Sequence, residues 1–167
     1  MRPRGGNAGK TRLDRIVGIL SECKYGIHDL SRTELDKVHR LPRFNMPLEL
    51  GLDLGASRFG PDVMREKRLL IMDKSPYRYQ KFISDIAGQD IVAHNGNTKQ
   101  ITRRVRDWLS IESKGPTIPG GSYLHTQYRV FRDDFPRLCK RQKLHIKQLT
   151  FGDFSDVVQL WLEEKES

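Results

Sequence analysis

The sequence predicts a mixed α/β fold with a parallel sheet, followed by a helical extension at the carboxyl terminus. Three short apolar segments, at 25–30, 67–73 and 89–93, are separated by stretches that carry helical signals. Strands that alternate with helices form parallel sheets, because right-handed crossovers return each strand beside an earlier one. After a segment rich in Pro and Gly, the pattern is helical only. We therefore expect an α/β domain over 11–113, a linker over 114–121 and a helical extension over 122–167.

The composition is that of a small basic protein with one modest core. A length of 167 residues suits one domain with an appendage, and 37% of the residues are hydrophobic. No apolar run approaches the roughly 20 residues that span a bilayer, and the amino terminus lacks the apolar centre of a signal peptide. Cys23 and Cys139 are too few for a disulfide framework or a cysteine-based zinc site. These features predict a cytoplasmic protein without a membrane partner.

Positive charge is in excess and is gathered in three places. The chain has 30 Lys and Arg residues against 21 Asp and Glu residues, a formal charge of +9. The clusters lie at Arg2–Arg15, Arg103–Arg106 and Arg129–Lys147, and such clusters attract nucleic acid or phosphorylated small molecules. Interspersed acids favour solvated helix faces instead. No helix-turn-helix, zinc-finger or aromatic RNA-binding pattern is present.

The amino-terminal segment predicts a disordered arm and then a first helix. Residues 1–10 are rich in Gly and Arg and show no periodicity, so we expect them to be disordered. The run Gly9-Lys10-Thr11 lacks the earlier glycine and the preceding strand that a phosphate-binding loop needs, and we reject that interpretation. Thr11 followed by Asp14 is a capping pattern, and apolar residues then recur at helical spacing. We expect a helix over Thr11–Cys23.

The leucine-rich stretch Phe44–Ala56 fits two structures. Its leucines alternate with other residues, which by period alone indicates a strand. Pro47 and two glycines suit a strand interior poorly, whereas a helix that begins at Asn45 holds the proline harmlessly in its first turn. We favour the helix. In either structure Glu49 and Asp53 lie on one side, because four residues are close to one helical turn and are also an even strand step.

The remaining elements follow from turn and capping signals. The continuous apolar run within 67–73 is typical of a buried parallel strand. Ser75-Pro76 supplies a helix start, and we expect that helix to continue to about Ile86. Asn97 opens another helix. Further helices are predicted over Ser122–Leu144 and Thr150–Glu164, the second opened by Thr150 with Asp153.

Polar residues gather where the first strand ends and the next helix begins. Asp29 and Ser31 stand at the end of the strand, and Asn45 and Glu49 stand at the start of the helix. In parallel sheets, ligands bind beyond the carboxyl ends of the strands and beside helix amino termini. We therefore predict a site at this junction, with Asp53 one turn beyond Glu49.

These motifs resemble a known group of domains. The segments are Ile27-His28-Asp29-Leu30-Ser31, then Asn45-Met46-Pro47-Leu48-Glu49-Leu50-Gly51-Leu52, and then the strand Leu69–Asp73. They are similar to the nucleoside 2-deoxyribosyltransferase-like and TIR-like domains, many of them bacterial, in which an Asn precedes a Glu-Leu-Gly helix. The resemblance covers 13–109 and implies a flavodoxin-like or Rossmann-like three-layer core. The strand that opens domains of that group has no counterpart in this sequence.

The resemblance implies a role for each residue of the site. Glu49 matches the catalytic glutamate, whose carboxylate stabilises or captures the positive anomeric carbon that forms when a base leaves a ribose. Asp29 would hold ribose hydroxyls or orient the nucleophile. Asn45 would bind substrate or cap the helix. The other substrate-binding residues are Ser31, Asp53 and, for neutralising phosphates, Arg32 and Arg43.

The function implied is hydrolysis or transfer at the N-glycosidic bond of a nucleotide, a nucleoside or NAD, in bacterial defence or nucleotide signalling. NAD or a nucleotide would be a substrate; no cofactor and no metal are expected, and a homo-oligomer or a partner protein suits such a module. The alternatives are an inactive nucleotide-sensing or protein-interaction module of the same fold, and a basic nucleic-acid-binding domain. His94, His125 and His145 lack metal-ligand spacing and are expected at the surface.

Overall fold

A computed structural model of the chain describes residues 11–35, 40 and 42–166. The chain divides into two compact units, 1–114 and 115–167. The arm expected at 1–10 lies outside the described residues. Within the described part of the chain, no helix has both the length and the apolar character needed to cross a membrane.

The first unit is built on a sheet of three parallel strands, β1 (Tyr25–Asp29), β2 (Arg68–Asp73) and β3 (Ile91–Ala93). The strand order is β1-β2-β3, so β2 is central. Met72 of β2 lies between Asp29 of β1 and Val92 of β3. The predicted mixed α/β class with a parallel sheet is thereby confirmed, and the three strands lie in the three predicted apolar segments.

In the described part of this unit, four α-helices accompany the sheet: α1 (Arg12–Glu22), α2 (Asn45–Phe59), α3 (Asp62–Arg65) and α4 (Thr98–Glu112). The start of α1 is a capping box, in which the Thr11 hydroxyl accepts from the Asp14 amide at 3.1 Å and the Asp14 carboxylate accepts from the Thr11 amide at 2.8 Å. The Asn97 side chain caps α4 by accepting from two backbone amides of its first turn. Both starts agree with the sequence signals.

The stretch Phe44–Ala56 is helical, as we favoured over the strand. Asn45 is the first helical residue and Phe44 precedes it as the cap, without a side-chain capping bond. Asn45 therefore does not cap the helix, which was one of its two expected roles. Met46, Leu50 and Leu54 pack into the core of the unit. Leu48 is 56% exposed, whereas a strand would place it on the same face as these three.

The two faces of the sheet pack against different helices. Ile71 of β2 shares a buried cluster with Leu50 of α2. Tyr25 pairs in register with Arg68, three residues before Ile71, so its side chain points to the opposite face. There the Tyr25 ring meets Trp108 of α4 edge-on, with ring centroids 6.0 Å apart. Helices thus cover both faces of this small sheet.

The helix expected from Ser75 to Ile86 is wrong. The segment forms two short 3₁₀ helices instead, Arg78–Lys81 and Ser84–Ile86. Tyr77 has a φ of 59°, a left-handed conformation that interrupts an α-helix. The side chain of Arg78 is bonded to the Asp73 carboxylate and to the Leu30 carbonyl, so contacts distant in sequence fix the chain where local signals predict a continuous helix.

The second unit contains α5 (Gly121–Arg141) and α6 (Phe151–Glu166), joined through a 3₁₀ turn at Ile146–Gln148. These helices confirm the predicted helical pattern, although α5 ends before Leu144. Thr150 and Asp153 form the expected box at the start of α6, with the Thr150 amide donating to the Asp153 carboxylate at 2.9 Å. The two helices share a core of Phe131, Leu138, Cys139, Val157 and Trp161.

A carboxylate in this second unit makes its stability depend on pH. The indole Nε1–H of Trp161 donates to Asp134 at 3.0 Å. This bond, with further help from the Arg137 guanidinium, lowers the pKa of Asp134 below its ordinary value of 3.8. A lowered folded-state pKa adds stability above the unfolded-state value, and that stability is lost as the pH falls through the folded-state value.

We expect the free energy of unfolding of the second unit to fall less steeply below about pH 4 in Asp134→Asn than in the wild type. The neutral amide still accepts from Trp161 but does not titrate. Urea unfolding at pH 3 and pH 5 measures this, in a Trp108→Phe background that leaves Trp161 as the reporter of its own unit. The remaining pH dependence is expected from Asp153, whose pKa is lowered by its bonds to Thr150. Equal pH dependence with and without Asp134 would contradict the assignment.

Candidate functional site

The carboxyl edge of the sheet brings together three chemically active side chains. Asp29 ends β1, Asp73 ends β2, and His94 directly follows β3. The strands are parallel, so all three residues lie at one edge. This is the edge at which open parallel sheets bind ligands.

Asp29 is held from two sides. Its Oδ1 accepts from the Ser31 amide at 2.9 Å and lies 3.2 Å from Nε2 of His94. The His94 ring is buried, and its Nδ1 accepts from the Gly96 amide at 3.0 Å. Asn95 and Gly96 have left-handed backbone, with φ of 53° and 67°, which turns the chain back toward the ring. About a third of the Asp29 side chain stays accessible, at 35%.

Asp73 is paired with a different partner. Its Oδ1 accepts from Nε of Arg78 at 2.9 Å and from the Lys74 amide at 2.7 Å. The same guanidinium donates through Nη2 to the Leu30 carbonyl at 2.7 Å and to the Thr33 hydroxyl at 3.2 Å. Asp73 is fully buried, and Arg78 ties the loop after β2 to the loop after β1. This pair therefore fixes the shape of the edge.

Glu49 lies in a cleft between α1 and α2. The cleft has a volume of about 210 Å³, and Glu49 is half-buried at its wall. Asp29 is bonded to the Ser31 amide and to the His94 ring, so the two predicted catalytic carboxylates are not joined directly. The other residues of the cleft are Arg12, Leu13, Ile16, Asn45 and Leu48. Glu49 thus lies in a mostly apolar cleft that contains one cationic side chain, that of Arg12.

Asp53 belongs to a buried ionic network beneath β1. Its Oδ2 lies 2.9 Å from Nε2 of His28, and its Oδ1 lies 2.9 Å from Nζ of Lys67. Lys67 also donates to the carbonyls of Leu20 and Cys23, at the end of α1. The three side chains are 5%, 0% and 1% exposed for His28, Asp53 and Lys67. The network joins α1, α2, β1 and the start of β2.

Gly26 makes room for this network. A methyl group at Gly26 would run into Asp53 Oδ2 and into the Leu69 side chain, which would lie only 2.8 Å away. We expect Gly26→Ala to destabilise the first unit by about 1–3 kcal/mol through overpacking.

The matched control is Gly51→Ala on α2, where an added methyl meets nothing within 4 Å. There the loss of glycine in a helix interior is expected to stabilise by about 0.5–1 kcal/mol. Urea denaturation of both variants measures the pair of effects. A change in the free energy of unfolding in the same direction in both variants would contradict the close approach of Asp53 to β1.

The predicted site residues thus lie in three surroundings. Asp29 is at the sheet edge, and Ser31 contributes its backbone amide there. Glu49 and Asn45 line the cleft beside α1. Asp53 is buried away from solvent, and its carboxylate already has two partners, His28 and Lys67. Arg32 and Arg43 are exposed, Arg32 in the 3₁₀ helix Leu30–Arg32 after β1 and Arg43 just before α2.

Sequence reasoning missed the partners of these residues. His94 was expected at the surface, and that expectation is wrong: only 2% of it is exposed and its ring contacts Asp29. A histidine that directly follows the third predicted strand was the available signal, because it must lie at the same edge as Asp29. Lys67 and Arg78 gave no comparable signal. Within residues 11–35, 40 and 42–166, no three His, Cys, Asp or Glu side chains are grouped as metal ligands would be.

Comparison with known proteins finds no significant match: no protein-family model, no curated protein and no solved structure resembles the chain closely enough.

Proposed function

We propose that the first unit binds a nucleotide or NAD and hydrolyses or transfers at its N-glycosidic bond, with Glu49 as the catalytic carboxylate. One observation carries this proposal. Glu49 is a half-buried acid in a mostly apolar cleft, near the start of the helix that follows β1. β1 itself ends in Asp29, an acid that stays partly accessible. The sequence resemblance assigns the same two positions to the same chemistry.

The cleft suits the charge that this reaction develops. When the bond between the base and the anomeric carbon breaks, the base leaves with the bonding electrons and the sugar becomes positively charged. A carboxylate near apolar side chains stabilises that charge more strongly than one in water. In hydrolysis, the water oxygen bonds to the anomeric carbon and one water proton is released. Nicotinamide leaves as a neutral molecule, so this step needs little acid assistance.

The other contacts with the substrate would come from residues besides Glu49. Asp29 would accept from ribose hydroxyls, and Arg12, Arg32 and Arg43 would offer positive charge to phosphates. The three-stranded sheet covered by helices on both faces is compatible with a Rossmann-like core. With this chemistry, we place the protein in the cytoplasm, in nucleotide signalling or bacterial defence.

A nucleotide-sensing or protein-interaction module without turnover is the second candidate, and one observation favours it. The cleft at Glu49 measures about 210 Å³. That is smaller than the roughly 300–1,000 Å³ of sites that enclose drug-sized ligands. Such a cleft would hold one end of a nucleotide but not the whole of NAD.

Nucleic-acid binding receives less support, since several arginines of the basic clusters are paired with acids. Arg103 and Arg106 both contact Asp107 on α4. Arg137 contacts Asp134 on α5. Such pairing reduces the charge that these helices offer to phosphates.

The test is release of free base from NAD and from a panel of ribonucleosides and deoxyribonucleosides, separated by chromatography. We expect release by the wild type and loss of release in Glu49→Gln. Glu66→Gln is the matched control, because Glu66 is 70% exposed and pairs with Lys24 at the surface. Absence of release by folded wild-type protein from every compound would contradict the enzymatic proposal, and nucleotide binding without release would favour the sensing module.

A further inference from the structure

We propose that His94 is a positioning residue that holds the Asp29 carboxylate ready for a ribose hydroxyl, so that the pair selects ribonucleotides over 2′-deoxyribonucleotides. This inference rests on the proposed nucleotide site, and it identifies the ribose as the part of the substrate that the carboxyl edge of the sheet binds. It stands on the hydrogen bonds of one buried ring and one partly exposed carboxylate.

The backbone fixes the tautomer of His94. The Gly96 amide can only donate, and it points at Nδ1 of the ring from 3.0 Å. Nδ1 must therefore carry a lone pair, which places the ring proton of the neutral imidazole on Nε2. Nε2 lies 3.2 Å from Asp29 Oδ1, so it donates to the carboxylate. The left-handed φ of 67° at Gly96 favours glycine there and supports the turn that delivers this amide.

The same bonds leave one oxygen of Asp29 for a ligand. Oδ1 receives both the Ser31 amide and the His94 ring. Among the described residues, none donates a hydrogen bond to Oδ2. Two bonds on one oxygen hold the carboxylate in one orientation, and 35% of the side chain is accessible. An oriented carboxylate oxygen accepts hydroxyl donors, and the ribose 2′-hydroxyl is such a donor.

The contact between His94 and Asp29 links the ends of the two outer strands of the sheet. Asp29 ends the first strand of the sheet and His94 follows the third, so the contact reaches across the end of the central strand β2. The ring is 2% exposed, so water does not compete for Nε2 as it would at the surface. A preorganised donor of this kind fixes the acceptor before the ligand arrives.

Two substitutions separate positioning from packing. In His94→Gln, the amide nitrogen reaches about as far as Nε2 and can still donate to Asp29, while the bond from Gly96 is lost. In His94→Asn, the short side chain can accept from Gly96 but does not reach Asp29. Both variants replace the same buried ring, so a loss of packing alone would weaken AMP and 2′-deoxy-AMP alike, whereas a loss of positioning would weaken AMP only.

The experiment titrates AMP and 2′-deoxy-AMP into the full-length wild type and both variants by calorimetry, with far-UV circular dichroism as the check of folding. We expect the wild type to favour AMP by about tenfold or more, the effect of one hydrogen bond to a charged group. His94→Gln should keep most of that preference, and His94→Asn should lose it. Equal preference in all three proteins, or no binding of either nucleotide by the wild type, would overturn the proposal.

A measurement on the wild type alone covers the case in which a variant does not fold. Nitrogen-15 NMR of the histidine rings distinguishes the tautomers, and we expect His94 to be neutral with its proton on Nε2. A proton on Nδ1 would overturn the proposal. The base-release assay is separate: release that depends on Glu49, together with equal AMP preference in the variants, would retain the glycosidase and remove the role of His94. No release of base, together with an AMP preference that depends on His94, would retain the role of His94 and remove the glycosidase.

Discussion

Replacing Asp53 with alanine is expected to destabilise the first unit by about 3–5 kcal/mol, the usual cost of breaking a buried ion pair by removing one partner. Asp53 has no exposed surface, and its two oxygens face His28 and Lys67, each at 2.9 Å. Without the carboxylate, the ammonium group of Lys67 stays buried among backbone carbonyls with no counter-charge. Urea unfolding in a Trp161→Phe background measures the change, since Trp108 then reports the first unit alone.

Asp62→Ala is the control for this prediction. Asp62 lies on α3, its side chain is 97% exposed, and it forms an ion pair with the exposed Arg65. An exposed pair of this kind contributes about 0–1 kcal/mol, so this variant should unfold almost like the wild type. A cost below about 1 kcal/mol for Asp53→Ala would show that the buried network does not stabilise the fold and would reopen Asp53 as a ligand-binding residue.

Replacing Glu49 with glutamine is expected to lower the rate of base release by about 10²–10⁴-fold while leaving nucleotide affinity within a few-fold. Glutamine has nearly the same shape as glutamate, so the cleft keeps its form. It carries no negative charge, so it does not stabilise the positive anomeric carbon in the transition state. An interaction made only in the transition state lowers kcat and kcat/KM together, and steady-state kinetics on NAD separates this from a loss of binding.

Glu66→Gln makes the same chemical change at the surface and is expected to keep the full rate. A proportional rise in KM with unchanged kcat in Glu49→Gln would contradict the catalytic role. In that case Glu49 would bind the substrate without taking part in bond cleavage.

Local signals predicted most of the fold because they act over a few residues. The capping boxes at Thr11 and Thr150 fix their helices through bonds three residues apart. The apolar run before Asp73 is typical of a buried strand, and it forms β2. The segment after it was predicted wrongly because Arg78 is bonded to a carbonyl 48 residues earlier, a contact that overrides the signal of Ser75-Pro76.

The site was predictable only in part, for the same reason. Topology places Asp29 at the sheet edge, because a strand that precedes a helix crossover ends there. The His94 contact joins residues 65 apart, and the partnership of Asp53 with His28 joins residues 25 apart. Pairing with a distant residue decides that Asp53 is buried and that Asp29 is oriented. No local pattern distinguishes these two acids.

The most direct measurement is the time course of nicotinamide release from NAD by the wild type, Glu49→Gln and Glu66→Gln at equal concentration. We predict steady release by the wild type and by Glu66→Gln, and release slowed by about 10²–10⁴-fold in Glu49→Gln. Equal release by all three proteins, or release by none while the ribonucleosides and deoxyribonucleosides also stay intact, would contradict the assignment of Glu49 as the catalytic carboxylate of an N-glycosidic site.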